Sequence, residues 1–286
     1  MNRRDAGKLV AGAMLSLKWA LAAPVGKGVR FSCMVWTLEG QAPFDRCLEI
    51  VAAAGYQGVE LVGEFQKWTP EERQRVMARM RSLGLVIDSI SGVKAGFSVP
   101  ADTDAFLAQF AAHLEAAKAL ECPQVILLSG KQVAGLGAEA QRKVAVENLK
   151  HAAEMAAKQG IEIVIEPIDL LESHGIFLAS VSDGFEIVRE VGAPNLKVLY
   201  DLYHEQRGFG NLLEKLEKHI DLVGLIHVAD VPGRHEPGTG EIDYPMIYRR
   251  LAALHYDHWI AMEYYPTGDP VVSLKKARLE VEAAFG

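Results

Sequence analysis

The chain has little cysteine, no excess of basic residues and no glycine-rich nucleotide fingerprint. Its three cysteines are scattered along 286 residues without a CxxC pair, which excludes a complete disulfide framework and an all-thiolate zinc site. The net charge of −7 and the lack of a basic stripe argue against nucleic acid or an anionic membrane surface as partner. No G-x-G-x-x-G follows a predicted strand, which argues against a dinucleotide-binding fold. Small polar molecules are the expected partners.

Long apolar runs are also scarce, and the one that stands out lies near the N-terminus. After the twin arginine of MNRR, an apolar segment runs from Leu9 to Ala23, and Ala20 and Ala22 offer an A-x-A cleavage site. This layout is typical of a twin-arginine export signal over residues 1–26. No other segment approaches the ~20 apolar residues needed to span a bilayer. The sequence therefore predicts a periplasmic or otherwise exported protein, free of the membrane once the signal is removed. A retained amphipathic helix in a cytoplasmic protein is the alternative.

The remainder of the chain alternates short apolar runs with amphipathic segments. Half of all residues are hydrophobic and 23% are charged, as in soluble globular proteins with an ample core. Connections of helical length bring each strand back in the same direction, so the strands are expected to be parallel. Eight such strand–helix pairs in about 260 residues predict a (β/α)₈ TIM barrel, a single α/β domain over residues 27–286.

Four of the predicted strands end on a potential metal ligand. IEIVIE ends on Glu166, LKVLYD on Asp201 and HWIAME on Glu263, while LVGLIHV delivers His227. The carboxyl ends of barrel strands meet on one face, where the active sites of such barrels lie. Unpaired carboxylates brought together cost several kcal/mol unless a cation lies among them. The four residues therefore predict a divalent-metal site, although a single strand-end acid is often only a helix cap.

The run that follows His227 is dense in charge and in turn residues. VADVPGRHEPGTGE carries Asp230, Arg234, His235 and Glu241 between prolines and glycines, so it can neither bury its polar groups in a core nor continue as a helix or strand. We interpret this loop as one wall of the site.

The predicted ligand set also indicates the ion and its chemistry. Oxygen-rich ligands with one imidazole favour Mn²⁺ or Mg²⁺, with Co²⁺ as an alternative. A cation that chelates an α-hydroxycarbonyl compound acidifies the adjacent C–H, and Glu166 and Glu263 can then serve as the acid and base. Return of the proton to the neighbouring carbon gives aldose–ketose isomerisation, and return to the opposite face of the same carbon gives epimerisation.

Several motifs resemble the hydroxypyruvate isomerase branch of the xylose-isomerase-like barrel superfamily. These are HVADVPGRHEPGTGEIDY from His227, DLYHEQRGFGNL from Asp201, IEPI around Glu166 and MEYYP around Glu263, and the similarity covers nearly everything from Val29 onward. The resemblance implies that these four residues are the metal ligands and that Glu166 and Glu263 transfer the proton.

The resemblance further implies which side chains contact the substrate. His204 and Arg234 would contact its oxygens, with Glu60 and His235 nearby. Trp36 follows the first strand, where it either forms an apolar wall of the pocket or is a simple core residue.

One position separates two activities within this chemistry. Hydroxypyruvate isomerases commonly carry glutamine where this chain has His227, whereas the related ketose 3-epimerases carry histidine. The expected function is an isomerase that interconverts hydroxypyruvate and tartronate semialdehyde, with a ketose 3-epimerase of the tagatose or psicose type as the alternative. A non-catalytic sugar-binding barrel is a third interpretation, and a homo-oligomer is compatible with the sequence. An abasic-site endonuclease would need more strand-end histidines and a basic face.

Overall fold

The eight predicted strands form a closed barrel in the computed structural model, which describes residues 28–286. Each strand pairs in parallel with the next along the chain, and the first pairs with the last. The strands are β1 Arg30–Met34, β2 Gly58–Val62, β3 Val86–Ser91, β4 Gln124–Leu128, β5 Glu162–Glu166, β6 Leu196–Asp201, β7 Val223–Val228 and β8 Trp259–Met262. The predicted TIM barrel is confirmed, and the predicted signal over residues 1–26 lies outside the described residues.

Helices surround the barrel and connect its strands. They are α1 Trp36–Glu39, α2 Phe44–Ala53, α3 Pro70–Leu83, α4 Thr103–Ala119, α5 Ala138–Ala157, α6 Val181–Val191, α7 Leu202–Gly208, α8 Leu212–His219, α9 Tyr244–Ala253 and α10 Pro270–Phe285. Within residues 28–286, no helix combines the length and the apolar character needed to cross a bilayer. The short helices α1 and α7 are not predicted by the sequence pattern, and both directly follow a strand on the face where the site lies.

Helix α3 shows how closely local sequence sets these boundaries. Thr69 accepts a hydrogen bond from the backbone N–H of Glu72, whose side chain accepts one from the N–H of Thr69. Pro70 occupies the first helical position, where its missing N–H has no partner to lose. The helix ends at Gly84, which has a φ of 71°, a conformation that glycine adopts without steric cost.

The barrel interior is filled by a layer of apolar side chains and closed at the amino-terminal end of the strands. Arg30 stacks over the Trp259 ring at 4.5 Å to its centroid. Gly58 allows this ring to enter, because a Cβ at that position would lie 2.8 Å from it. The apolar layer comprises Met34, Ile126, Val164, Leu199, Leu225, Trp259 and Ala261. The interior is therefore apolar at this level, and the predicted ligands lie beyond it at the carboxyl ends of the strands.

Replacing Gly58 by alanine is expected to destabilise the barrel by about 1–3 kcal/mol, because the added methyl group overpacks the Trp259 ring. The free energy of unfolding from a denaturant titration measures the effect. Gly268→Ala is the matched control, because no atom lies within 4 Å of the added carbon, and we expect a change within about 0.5 kcal/mol. Equal stability of the two variants would contradict tight packing at the base of the barrel.

Candidate active site

The structure brings the four predicted metal ligands together at the carboxyl ends of the strands. One potential ligand atom from each of Glu166, Asp201, His227 and Glu263 lies within 4.8 Å of the others. Strand register produces this convergence, since Asp201 pairs with His227 across β6 and β7. The N–H of Glu263, the residue that follows β8, donates to the carbonyl of Val228 at the end of β7.

The two carboxylate oxygens of Asp201 have different partners, one in the backbone of α7 and one in the cluster. Its Oδ1 accepts hydrogen bonds from the N–H groups of Tyr203 and His204, at 2.7 and 3.1 Å, and thereby caps α7. Its Oδ2 remains facing Nε2 of His204 at 3.5 Å. The cap therefore fixes the carboxylate and also places His204 one turn further on.

His227 lies between two carboxylates and is fully buried. Its Nδ1 is 2.7 Å from Oε2 of Glu263, and its Nε2 is 2.9 Å from Oε2 of Glu60. Burial by itself would lower the pKa of this imidazole, but the two carboxylates outweigh burial and raise the pKa well above its ordinary value. In the absence of a cation, the two carboxylates therefore favour the protonated form of His227.

Arg234 compensates the other oxygen of Glu263. Its Nη2 is 2.7 Å from Oε1 of that carboxylate, and its Nε donates to the Glu263 carbonyl at 3.2 Å. The guanidinium lies between two aromatic rings, 5.5 Å from the centroid of Trp36 and 5.1 Å from that of Tyr203. The structure thus places Trp36 at the site through its contact with a buried cation.

The two glutamates proposed to exchange protons lie in contrasting electrostatic environments. Burial and the nearby Glu263 carboxylate raise the pKa of Glu166 to about 7. Burial would also raise the pKa of Glu263, but Arg234 and His227 outweigh it and hold that pKa well below its ordinary value. Near neutral pH, one of the two can therefore keep a proton while the other is ionised, which is the arrangement that acid–base chemistry needs.

His204 is held in place by a buried carboxylate that the sequence did not reveal. Its Nδ1 lies 2.7 Å from Oδ2 of Asp169, and its Nε2 faces Glu166 and Asp201 at 3.9 and 3.5 Å. Burial alone would lower the pKa of His204, but these carboxylates raise it to about 9. Asp169 follows Glu166 by three residues in EPID, a spacing that could have marked it.

The loop after β7 is built around a second missed carboxylate, Asp230. This fully buried side chain accepts hydrogen bonds from the backbone N–H groups of Val231, Gly238, Gly240 and Ile242 at 2.8–3.1 Å. A Cβ at Gly240 would lie 2.0 Å from the Val231 carbonyl oxygen, so only glycine fits there. One of the polar side chains of this loop, Asp230, therefore holds the loop in its folded shape.

Two further predicted residues lie at the edge of the cluster or behind it. His235 is half-buried and its Nδ1 lies 2.8 Å from the carbonyl oxygen of Tyr265, so its ring contacts the loop after β8. Glu60 is fully buried within the barrel, on the Nε2 side of His227. Neither residue belongs to the group of four potential ligands.

The residues that converge fit a divalent cation. Glu166, Asp201 and Glu263 supply carboxylate oxygens and His227 supplies an imidazole nitrogen, which is a donor set suited to hard or borderline divalent ions. A cation among these carboxylates would also relieve the repulsion that raises the pKa of Glu166.

Comparison with known proteins gives the family. Residues 48–281 match the family model of the xylose isomerase-like TIM barrel, and the chain belongs to this family. It is 32% identical over 243 residues to hydroxypyruvate isomerase from Escherichia coli (strain K12), covering 83% of this chain and 94% of that protein. It is 33% identical over 241 residues to 2-oxo-tetronate isomerase from Cupriavidus necator, covering 83% and 93%. The crystal structure of AP endonuclease, family 2, from Brucella melitensis matches with a TM-score of 0.79 and 26% identity, covering 86% and 96%.

These relatives assign the protein to a class of enzyme. Both curated relatives are isomerases matched over nearly their whole length. The protein is therefore an isomerase, and its substrate is a small molecule.

Divalent-metal binding is expected to strengthen as the pH rises from 5 to 8, because a ligating carboxylate must lose its proton first. The pKa of Glu166, raised to about 7, gives the direction of this pH dependence. In the cation-free protein, protonated Glu166 stabilises the fold fully below its ordinary pKa near 4.5, and this stabilisation is lost as the pH rises through 7. The increase in Tm on adding MnCl₂ to EDTA-treated protein, measured at each pH, should therefore grow by several degrees over this range.

Glu166→Gln provides the control for this pH dependence. The variant has no proton to release at position 166, so the Mn²⁺-induced increase in its Tm should depend less on pH. An increase in the wild-type Tm that is constant from pH 5 to 8 would contradict the protonated state of Glu166.

Proposed function

We propose that this isomerase interconverts small 3-hydroxy-2-oxo acids and their 2-hydroxy-3-oxo isomers, with hydroxypyruvate and tartronate semialdehyde as the specific pair. The observation that carries the proposal is the convergence of Glu166 and Glu263 with Asp201 and His227 in one cluster at the carboxyl ends of the strands. The names of the two curated relatives, which refer to hydroxypyruvate and to 2-oxo-tetronate, support this class of substrate.

The reaction is proposed to require a divalent cation, Mn²⁺ or Mg²⁺, with Co²⁺ as an alternative. Glu166, Asp201, His227 and Glu263 would hold it. When bound, the ion supplies Lewis-acid stabilisation of the negative charge that develops on the hydroxyl and carbonyl oxygens of the substrate.

The two glutamates account for the proton movements. Glu263, ionised at neutral pH, accepts a proton from C3 of hydroxypyruvate and leaves an enediolate. Glu166, which is ionised when it holds the cation, takes up a proton from solvent and delivers it to C2, and Glu263 releases the C3 proton to solvent, so that both carboxylates are restored. Passage of the hydroxyl proton from the C3 oxygen to the C2 oxygen completes the exchange of the carbonyl and hydroxyl groups, so that no atom is gained or lost.

Two cationic side chains are suited to binding an acidic substrate. His204 presents Nε2 to the cluster, and Arg234 lies beside Glu263 within its aromatic sandwich. Both are fixed by buried carboxylate partners, so they can donate hydrogen bonds to substrate oxygens without first becoming ordered.

A ketose 3-epimerase is the second candidate, and the histidine at position 227 favours it. The same pair of glutamates could remove a proton from C3 of a ketose and return one to the opposite face of that carbon. The two candidates differ in the carbon that receives the second proton, and isotope exchange can therefore separate them.

Deuterium exchange followed by NMR tests the proposal. Mg²⁺-loaded full-length protein in D₂O should incorporate deuterium at C3 of hydroxypyruvate and at C2 of newly formed tartronate semialdehyde, and EDTA-treated protein should not. Exchange at C3 of D-fructose or D-tagatose with inversion would instead establish the epimerase. The absence of exchange with all three compounds, despite bound metal, would contradict both candidates and favour a non-catalytic barrel.

Glu263→Gln is expected to reduce kcat by at least about 10²–10³-fold, because the amide cannot accept the C3 proton. It should also weaken metal binding, since a carboxylate ligand is replaced by a neutral one. Initial rates at saturating metal check the first effect, and Mn²⁺ titration checks the second. Glu280→Gln on α10 is the control and should keep wild-type rates; full activity in Glu263→Gln would refute its role as the base.

A further inference from the structure

Two carboxyl side chains lie inside the barrel below the site, and the proposed reaction does not use them. Glu60 on β2 and Asp88 on β3 are both fully buried. Ser32 on β1 donates a hydrogen bond to Oδ2 of Asp88 at 2.7 Å. Among the described residues, the oxygens of Glu60, Oδ1 of Asp88 and Nε2 of His227 have no partner in hydrogen-bonding geometry. Buried polar atoms without partners are rare in native proteins and require an explanation.

The charged group that faces Glu60 is the imidazole of His227. Its Nε2 lies 2.9 Å from Oε2 of Glu60. The other ring nitrogen, Nδ1, faces Glu263 at 2.7 Å, and Glu263 belongs to the cluster of potential ligands whereas Glu60 does not. The two edges of the ring therefore face different surroundings, with the cluster on the Nδ1 side and Glu60 on the Nε2 side.

We propose that Glu60 is a positioning residue, which holds the proton of His227 on Nε2 and so leaves Nδ1 free to bind the divalent cation. This inference rests on the metal site of the proposed function. A metal-binding imidazole is neutral and keeps one N–H, and the partner of that N–H determines which nitrogen remains for the ion. A carboxylate at the Nε2 edge also increases the basicity of the ring and fixes its orientation.

Asp88 explains how a second carboxyl group can lie beside Glu60. Burial and the adjacent Glu60 raise the pKa of Asp88 well above its ordinary value, and the two side chains are close enough to share a hydrogen bond. A protonated Asp88 donates to Glu60 and accepts from Ser32. Oδ1 of Asp88 and one oxygen of Glu60 thereby gain a partner, and Oε2 of Glu60 faces Nε2 of His227 at 2.9 Å.

The resulting chain runs from the barrel wall to the metal site. Ser32 donates to Asp88; in the proposed arrangement Asp88 donates to Glu60, and Glu60 accepts from Nε2 of His227, which lies 2.9 Å away. Each member is fully buried, so water is poorly placed to replace any of them.

Metal affinity and the tautomer of His227 test the proposal without any need for turnover. Glu60→Ala in the full-length protein should weaken Mn²⁺ binding by about 10–100-fold, measured by the EPR signal of free Mn²⁺. Glu60→Gln should lose less, because its amide oxygen can still accept the Nε2 proton. Asp88→Asn should stay within about threefold of wild type, since its amide can still donate to Glu60.

A tautomer measurement separates positioning from a merely structural role. In Mg²⁺-loaded protein labelled with ¹⁵N-histidine, the His227 ring, assigned by its loss in His227→Gln, should carry its proton on Nε2. This signature should disappear in Glu60→Ala and persist in Tyr248→Phe, which removes a different buried hydroxyl without a partner. Tyr248→Phe should also keep the wild-type Mn²⁺ affinity.

Several outcomes would overturn the inference. Unchanged Mn²⁺ affinity in folded Glu60→Ala would do so, as would a wild-type ring protonated on Nδ1 with metal bound. Should Glu60→Ala fail to fold, Glu60→Leu takes its place, because leucine fills similar space and offers no acceptor; wild-type affinity together with an unaltered tautomer population in that variant would equally overturn the inference. A wild-type protein that binds Mn²⁺ but catalyses no exchange would refute the proposed function while leaving the role of Glu60 intact.

Discussion

Mutual repulsion among buried carboxylates is the constraint on which the site depends. Glu166, Asp201 and Glu263 are brought together by strand register rather than by attraction, and each must be compensated. Arg234 and His227 compensate Glu263, and His204 lies against Asp201 and Glu166. The compensation is uneven: it holds the pKa of Glu263 low, while burial and the Glu263 charge raise that of Glu166. The acid–base asymmetry thus follows from the unequal distribution of cations around similar side chains.

Buried carboxylates outside the ligand cluster set the geometry of the residues within it. Asp169 fixes the ring of His204. Asp230 accepts hydrogen bonds from four backbone N–H groups of its loop, and the loop folded in this way places Arg234 against Glu263. Glu60 lies against the far edge of His227. Asp169 and Asp230 thus each hold donors that would otherwise be free to move, which preorganises the site.

The barrel and the four converging residues could be predicted from the sequence because both depend on period and position along the chain. Apolar runs separated by helical lengths specify strand order, and the last residue of a strand must lie at the mouth of the barrel. The spacing of Asp169 from Glu166 could have marked it as a site residue, but the partners of Asp169 and Asp230 could not be predicted, since they are a side chain 35 residues away and the N–H groups of a folded loop. Helix α7 is not predicted because no turn residues separate it from β6. The sequence pattern indicates Asp201 as a metal ligand and not as the cap of a helix.

The sequence resemblance places Glu60 near the substrate, whereas the fold places it inside the barrel, beside Nε2 of His227. It stands two residues before the end of β2, and Asp88 stands in the middle of β3, so both belong to the interior rather than to the mouth of the barrel. This placement bears on the histidine at position 227. A glutamine there would leave the buried Glu60 carboxyl group without the imidazole nitrogen that lies 2.9 Å from it, and removing one partner of a buried pair is destabilising. Histidine can be cationic in a cluster without an ion and neutral when it binds one. In the proposed metal site, the imidazole would therefore offset the surrounding carboxylates until a divalent cation takes over that role.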